Sequence, residues 1–280
     1  MIKRVYSISI ILFACLMQSF AQETVFAEDD KSFFEKIIKK QTTAKYDNTG
    51  EAVNAIAMEF IGEKYVAGTL ENRNEELYIS HSKLDCTTFV ETVLSIYQTI
   101  KNNTTTFESC CHNLEKIRYR GGIRNGYTSR LHYISWWIDD NTALIEEITT
   151  MQHTAQQTLN LSYMSTHPDK YPALKKNPKA TELIADLEKP YRNHKTRYIP
   201  KENVSLLKKE ELRNGDIIAI VTSIEGLDIS HIGFATWHGD SLHMIHASSS
   251  AGKVIDDTTS LHEYLKNKKS HLGIRVLRVK

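Results

Sequence analysis

The sequence predicts an α+β fold in which a helix carrying a cysteine packs on an antiparallel sheet, with a long mixed insertion between the two. Three observations predict it. Asp85-Cys86-Thr87-Thr88 opens an amphipathic stretch in which Phe89, Val93, Tyr97 and Ile100 recur at helical spacing, with Val90 and Leu94 beside them. The C-terminal third alternates apolar runs with turn signals, Asn214-Gly215 before the run at 216–221 and His238-Gly239-Asp240-Ser241 between those at 229–237 and 241–247. Residues from about 104 to 200 carry neither pattern for long, and Pro168, Pro172 and Pro178 punctuate them.

Taken in order, the chain begins with Met1-Ile2-Lys3-Arg4, a basic segment followed by an apolar run from Val5 to Met17. Ser19-Phe20-Ala21 then places small residues before Gln22. This is the pattern of a secretion signal spanning 1–21, and the run is short for a bilayer span. The protein is therefore expected to be exported, to the periplasm, as a single domain over 22–280. Leu12-Phe13-Ala14-Cys15 resembles a bacterial lipobox, so a lipid anchor through Cys15 is the alternative. Of 280 residues 41% are hydrophobic and 25% charged, with a net charge of +1. That balance suits a globular protein and gives no support to nucleic-acid binding. Removal of the signal leaves Cys86, Cys110 and Cys111, an odd number that rules against a disulfide framework. Cys110-Cys111-His112 lacks a second spaced ligand pair, so no metal or other cofactor is implied. A helix is expected near 52–61, with Val53, Ile56, Ala57 and Phe60 on one face, and a short one at 181–187. Gly62-Glu63-Lys64-Tyr65-Val66-Ala67-Gly68 reads as a turn-bounded segment that brings backbone close to a site.

Asp85 is a good N-cap, which starts the helix at Cys86 or Thr87. Unpaired amides and the positive end of the helix dipole then favour a thiolate at Cys86, while the Asp85 charge opposes it. A buried structural cysteine is the plain alternative. The hairpin supplies a base. With Gly239-Asp240 as a two-residue loop, Gly233 falls opposite His246 and His231 opposite Ser248. Opposed residues share a face, so His231 and His246 become diagonal neighbours. A helix-start cysteine and two cofacial histidines have the logic of a Cys–His–polar triad. A zinc site from His238, His243 and His246 lacks a further ligand.

The insertion contains Arg118, Arg120, Arg130, His132, Tyr133, Trp136 and Trp137 within a short span. Guanidinium groups pair with carboxylates and flat rings cover sugar faces, so this cluster is expected to offer a ligand face for a sugar–peptide carrying free carboxylates. Core residues on a helix are the alternative for each aromatic taken singly.

Five segments in this order resemble the NlpC-type, papain-like cysteine peptidases and amidases of bacterial cell walls. They are Gly62-x-x-Tyr65-x-x-Gly68, Asp85-Cys86-Thr87-Thr88-Phe89-Val90, Arg213-Asn214-Gly215-Asp216-Ile217, Ser230-His231-Ile232-Gly233-Phe234 and Ile245-His246-Ala247-Ser248. The resemblance implies a papain-like core, Cys86 as nucleophile, His231 as base, His246 as third polar residue and Tyr65 as an oxyanion donor. Asp85 would contact substrate. Thr87-Thr88 stands where many members have Ser-Gly, and the arginine typical of members that cut after D-glutamate is missing before Asp85. The insertion, with Thr166-His167-Pro168-Asp169-Lys170-Tyr171, resembles the N-acetylmuramoyl-L-alanine amidase branch. That branch implies muropeptides as the substrate, in anhydro forms, and no stable protein partner. A stem-peptide (γ-D-glutamyl) endopeptidase and an inactive wall-binding module are the alternatives.

Overall fold

The computed structural model describes residues 24–71, 74–149 and 152–280. The expected signal segment and Cys15 lie outside them. In chain order the elements are β1 (Thr24–Val25), α1 (Glu28–Thr43), α2 (Thr49–Met58), β2 (Leu77–Tyr78), α3 (Cys86–Lys101), α4 (Phe107–Arg118), α5 (Ile134–Asp140), β3 (Ile145–Glu147) and β4 (Ala155–Asn160). There follow α6 (Tyr163–Thr166), α7 (Pro178–Glu188), β5 (Arg192–Pro200), β6 (Ile217–Thr222), β7 (Ile229–His238), β8 (Ser241–Ser248), β9 (Lys253–Asp256), α8 (Leu261–Lys266) and β10 (His271–Val279). The fold is α+β: an eight-stranded antiparallel sheet runs β4-β5-β10-β6-β7-β8-β9, and β3 adds to β10.

Both faces of the sheet are covered, which explains the unbroken apolar run of β6. Ile217, Ala219 and Val221 join the large core beneath the helices, while Ile218 and Ile220 join a smaller cluster with Leu207, Leu261 and Leu265 on the other face. α3 lies in the large core. Phe89, Val90, Val93, Leu94 and Ile96 are buried there, and the Phe89 ring meets Phe234 of β7 edge-on at 5.7 Å. Burying each such side chain stabilises the fold by about 1.5–3 kcal/mol. This packing fixes α3 against the strand that carries His231.

The segment Arg213-Asn214-Gly215-Asp216 holds the sheet to α2. Gly215 has φ +78°, and a Cβ there would sit 2.1 Å from the Gly50 carbonyl oxygen, so only glycine fits. Asp216 is buried and pairs with Arg278 of β10 at 2.6 Å. The insertion is packed into the main core: Phe107, Leu114, Trp136, Trp137 and Leu144 share it with α3 and the sheet.

Candidate active site

Cys86 is the first residue of α3, and Asp85 is its N-cap. Asp85 Oδ1 accepts the Thr88 amide at 2.8 Å, and the Thr88 hydroxyl accepts the Asp85 N–H at 2.9 Å. This capping box is worth about 1 kcal/mol and sets where the helix begins. One oxygen of the Asp85 carboxylate, Oδ1, is thus occupied in starting α3.

Cys86 is half-buried. Burial, and secondarily the Asp85 charge, push its thiol up to about 12, although the Ile232 amide and the Thr87 amide and hydroxyl pull the other way. The thiolate that the helix start favours is therefore opposed by more than the Asp85 charge. Magnitudes explain the difference. A helix terminus contributes about 0.3–1 kcal/mol, less than one pKa unit, whereas burial shifts a group by up to about 3–5 units.

The Ile232 amide at Cys86 brings the neighbouring residue of β7 into the site, and that residue is His231. A bulge precedes it: Ile220 of β6 pairs with His231 but Val221 with Ile229, leaving Ser230 unmatched. Bulges of this kind re-aim the next side chain. The hairpin register is the one the two-residue loop demands, from His238 opposite Ser241 to Phe234 opposite Ile245. One step further Gly233 faces His246, and a Cβ on Gly233 would lie 2.9 Å from the His246 Cβ. A side chain there would displace the imidazole.

The two histidines meet. His231 Nε2 lies 2.6 Å from His246 Nδ1, with the rings at 85° and 4.8 Å between centroids. Burial, then the adjacent His246, depresses the His231 pKa well below its ordinary value, and burial also lowers that of His246. Burial thus disfavours the charged forms of the thiol and of both imidazoles. His246 is fully enclosed, and Asp257 Oδ2 stands 3.3 Å from its Nε2. Sequence reasoning missed Asp257. Its signal is the pairing of β9 with β8, which sets Ile255 opposite His246 and carries the following turn past that ring.

Tyr65 is backbone-paired with Leu84, just before the cap of α3. Its phenol is half-buried. Burial raises its pKa first, and the neighbouring charges at Cys86 and Asp85 add to this, so it is a neutral hydroxyl able to donate. Gly62 and Gly68, which bracket it, both hold positive φ, +96° and +66°.

The arginine–aromatic cluster lies differently from expectation. Arg118 is 1% exposed, with Nε 2.7 Å from Glu91 Oε2 and Nη1 2.6 Å from the Tyr78 carbonyl. Arg130 is enclosed by Glu71 at 2.9 Å and the Leu70 carbonyl at 3.0 Å. Tyr133 donates to Glu188 at 2.7 Å and accepts the Met164 amide, while Trp136 and Trp137 are core side chains. These five tie the insertion to the body of the protein instead of forming an open ligand face. Leaving one partner of a buried pair such as Glu91–Arg118 uncompensated costs about 3–5 kcal/mol, which marks it as a structural feature. Arg120 and His132 are half-buried. The Arg120 guanidinium lies over the Trp136 ring at 5.2 Å with Nε and Nη2 lacking hydrogen-bond partners, and His132 Nε2 is 2.8 Å from the Tyr127 carbonyl.

The other two thiols and the histidines near the hairpin turn are engaged elsewhere. Cys110 and Cys111 are buried on α4, Cys110 beside Ser95 Oγ at 3.3 Å. His243 projects to the opposite face of β8 from His246, where its Nδ1 bonds the Asp257 carbonyl and its ring stacks on His238. The zinc arrangement of His238, His243 and His246 is therefore split between two faces.

Residues 55–274 match the family model described as AmiA-like, N-acetylmuramoyl-L-alanine amidase-like. The chain belongs to the N-acetylmuramoyl-L-alanine amidase-like family. Solved structures agree with that placement. A crystal structure of an N-acetylmuramoyl-L-alanine amidase from Bacteroides uniformis is 36% identical with a TM-score of 0.78, covering 83% of this chain and 99% of that one. A Bacteroides fragilis structure whose name suggests a xylanase is 42% identical, with a TM-score of 0.74, covering 80% of this chain and 99% of that one. A Legionella pneumophila protein is 26% identical with a TM-score of 0.64, covering 89% and 94%. No curated protein matches the chain. As a member of this amidase-like family the chain is a hydrolase whose substrate is related to peptidoglycan. Cys86, Tyr65, His231, His246 and Asp257 all fall within the matched residues.

Proposed function

We propose that this protein is a secreted, cysteine-dependent amidase of papain-like, NlpC-type architecture that cleaves the N-acetylmuramoyl–L-alanine bond of muropeptides, anhydro forms included. The observation that carries this reading is Cys86 at the start of α3, against the amide of Ile232, the strand residue that follows His231 of the His231–His246 pair, in a member of the amidase-like family. The apolar leader and the absence of a helix among the described residues long and apolar enough to cross a membrane are compatible with export.

Cys86 Sγ attacks the lactyl carbonyl of the muramyl group. Its proton passes to His231 as the C–S bond forms, so a thiolate exists only as the reaction needs it. The oxyanion is held by the Cys86 N–H and the Tyr65 hydroxyl. His231 returns the proton to the L-alanine nitrogen as the C–N bond breaks, leaving a muramyl thioester. Water then attacks that thioester, with His231 taking its proton and Cys86 leaving as the thiol. His246 holds the His231 ring. Arg120 and His132, both half-buried, serve as substrate contacts on the insertion side.

Iodoacetamide should inactivate the protein by modifying Cys86, while EDTA should leave turnover unchanged. Loss of activity on chelation with an unmodified Cys86 would reject the thiol chemistry.

A further inference from the structure

The line of hydrogen bonds behind Cys86 does not stop at the second histidine. Asp257 Oδ2 faces His246 Nε2 at 3.3 Å, and the other nitrogen of the same ring faces His231 Nε2 at 2.6 Å. Asp257 is itself held on three sides. Its N–H donates to the Met244 carbonyl at 3.0 Å, its carbonyl accepts from His243 Nδ1 at 2.9 Å, and its Oδ1 accepts the Thr259 N–H at 2.8 Å. Oδ2 is left to address His246. The edge of the Tyr264 ring closes over His246 at 5.6 Å between centroids, and His271 stacks on Tyr264 at 5.7 Å.

The chemistry of these atoms fixes every proton in the line. An ionised carboxylate only accepts, so His246 carries its hydrogen on Nε2. Its Nδ1 is then a lone pair and accepts the Nε2–H of His231. His231 Nδ1 is thereby left unprotonated, the form a general base for Cys86 requires. Reversing the bond to Asp257 would place two hydrogens in the 2.6 Å gap between the rings, and reversing the bond between the rings would set a lone pair of His246 Nε2 against the Asp257 carboxylate.

We propose that Asp257 is a positioning residue that sets the tautomers of His246 and His231 and stabilises the imidazolium formed when Cys86 gives up its proton. This rests on the assignment of Cys86 and His231 as nucleophile and base. The groups around the pair are Cys86 and Tyr65 on the thiol side, Tyr264 on α8, Lys268 just beyond it, His271 on β10 and, further along the strands, His238, His243 and Asp256. Lys268 and His271 oppose a positive charge on the histidines. Asp257 is the acidic group that favours such a charge at His246, and Asp256 is engaged by His238 at 2.9 Å.

The test follows alkylation of Cys86 by iodoacetamide across pH, read by peptide mass so that Cys110 and Cys111 do not interfere. It needs no wall substrate, so it separates this proposal from the choice of bond cut. In Asp257→Asn the pH midpoint for alkylation should rise by about one unit, roughly tenfold slower reaction below it. Asp257→Glu, which keeps the charge, should return the midpoint toward wild type. In a His246→Ala background Asp257→Asn should add no further shift. A merely structural Asp257 would lower the urea midpoint and leave the alkylation midpoint in place, which would overturn the proposal. A shift of equal size without His246 would overturn it too. Wild-type Cys86 that resists alkylation at every pH would overturn both the proposal and the thiol mechanism on which it rests.

Discussion

Cys86→Ala is expected to lower muropeptide turnover by at least about 10⁴-fold while leaving the protein folded. The size follows from the chemistry, since without Sγ no acyl-enzyme forms and water must attack an unactivated amide. The fold should survive for local reasons. Alanine is the best helix former, and Cys86 is the first residue of α3, outside the Asp85–Thr88 capping box that starts the helix. The sulfur makes no disulfide. Product release by chromatography, with a urea unfolding curve beside it, checks both halves. Turnover within tenfold of wild type would show that another group carries the reaction.

His231→Ala should cost about 10²–10⁴-fold in kcat/KM, less than the nucleophile, because general acid–base transfer contributes on that scale. His246→Ala should be milder, since it orients the base without touching the substrate. The pH profile carries a signed expectation. His231 acts in its neutral form, and burial beside His246 lowers its pKa well below 6.5. Activity should therefore persist as pH falls through the ordinary histidine range and be lost only below it. In His231→Ala that acid limb should disappear. A wild-type limb centred at or above 6.5 would contradict the placement of His231 as a buried neutral base.

Where one stretch of chain determined the outcome, the sequence was readable. The start of α3 follows from a single residue, Asp85, and the His231–His246 meeting follows from one two-residue loop, whose register the structure keeps. The helix at 181–187 is longer in the structure, as α7, because Asn177 caps it and Pro178 fits its first turn. The central strand β10 was not legible. Arg275 interrupts its apolar run, and only in three dimensions does Glu147 of β3 neutralise that buried guanidinium at 2.7 Å.

The same blindness to distant partners governs the arginine cluster. Arg118 and Arg130 offer the same guanidinium chemistry to a substrate carboxylate as to Glu91 and Glu71, and nothing local tells which is met. Likewise Asp257 lies in a polar turn, and its meaning comes from the strand pairing that sets it beside an enclosed imidazole. How strongly the Cys86 thiolate is opposed was not legible, because a helix terminus can be seen in sequence and the burial that outweighs it cannot.

The most direct measurement is the mass of the products formed from one defined muropeptide, N-acetylmuramoyl-L-Ala-γ-D-Glu extended by its third residue, with wild-type protein. The expected products are the free muramyl sugar acid and an intact stem peptide beginning with L-alanine, with neither formed by Cys86→Ala. A sugar product that retains L-Ala–D-Glu would place the cut inside the stem peptide and contradict the amidase assignment.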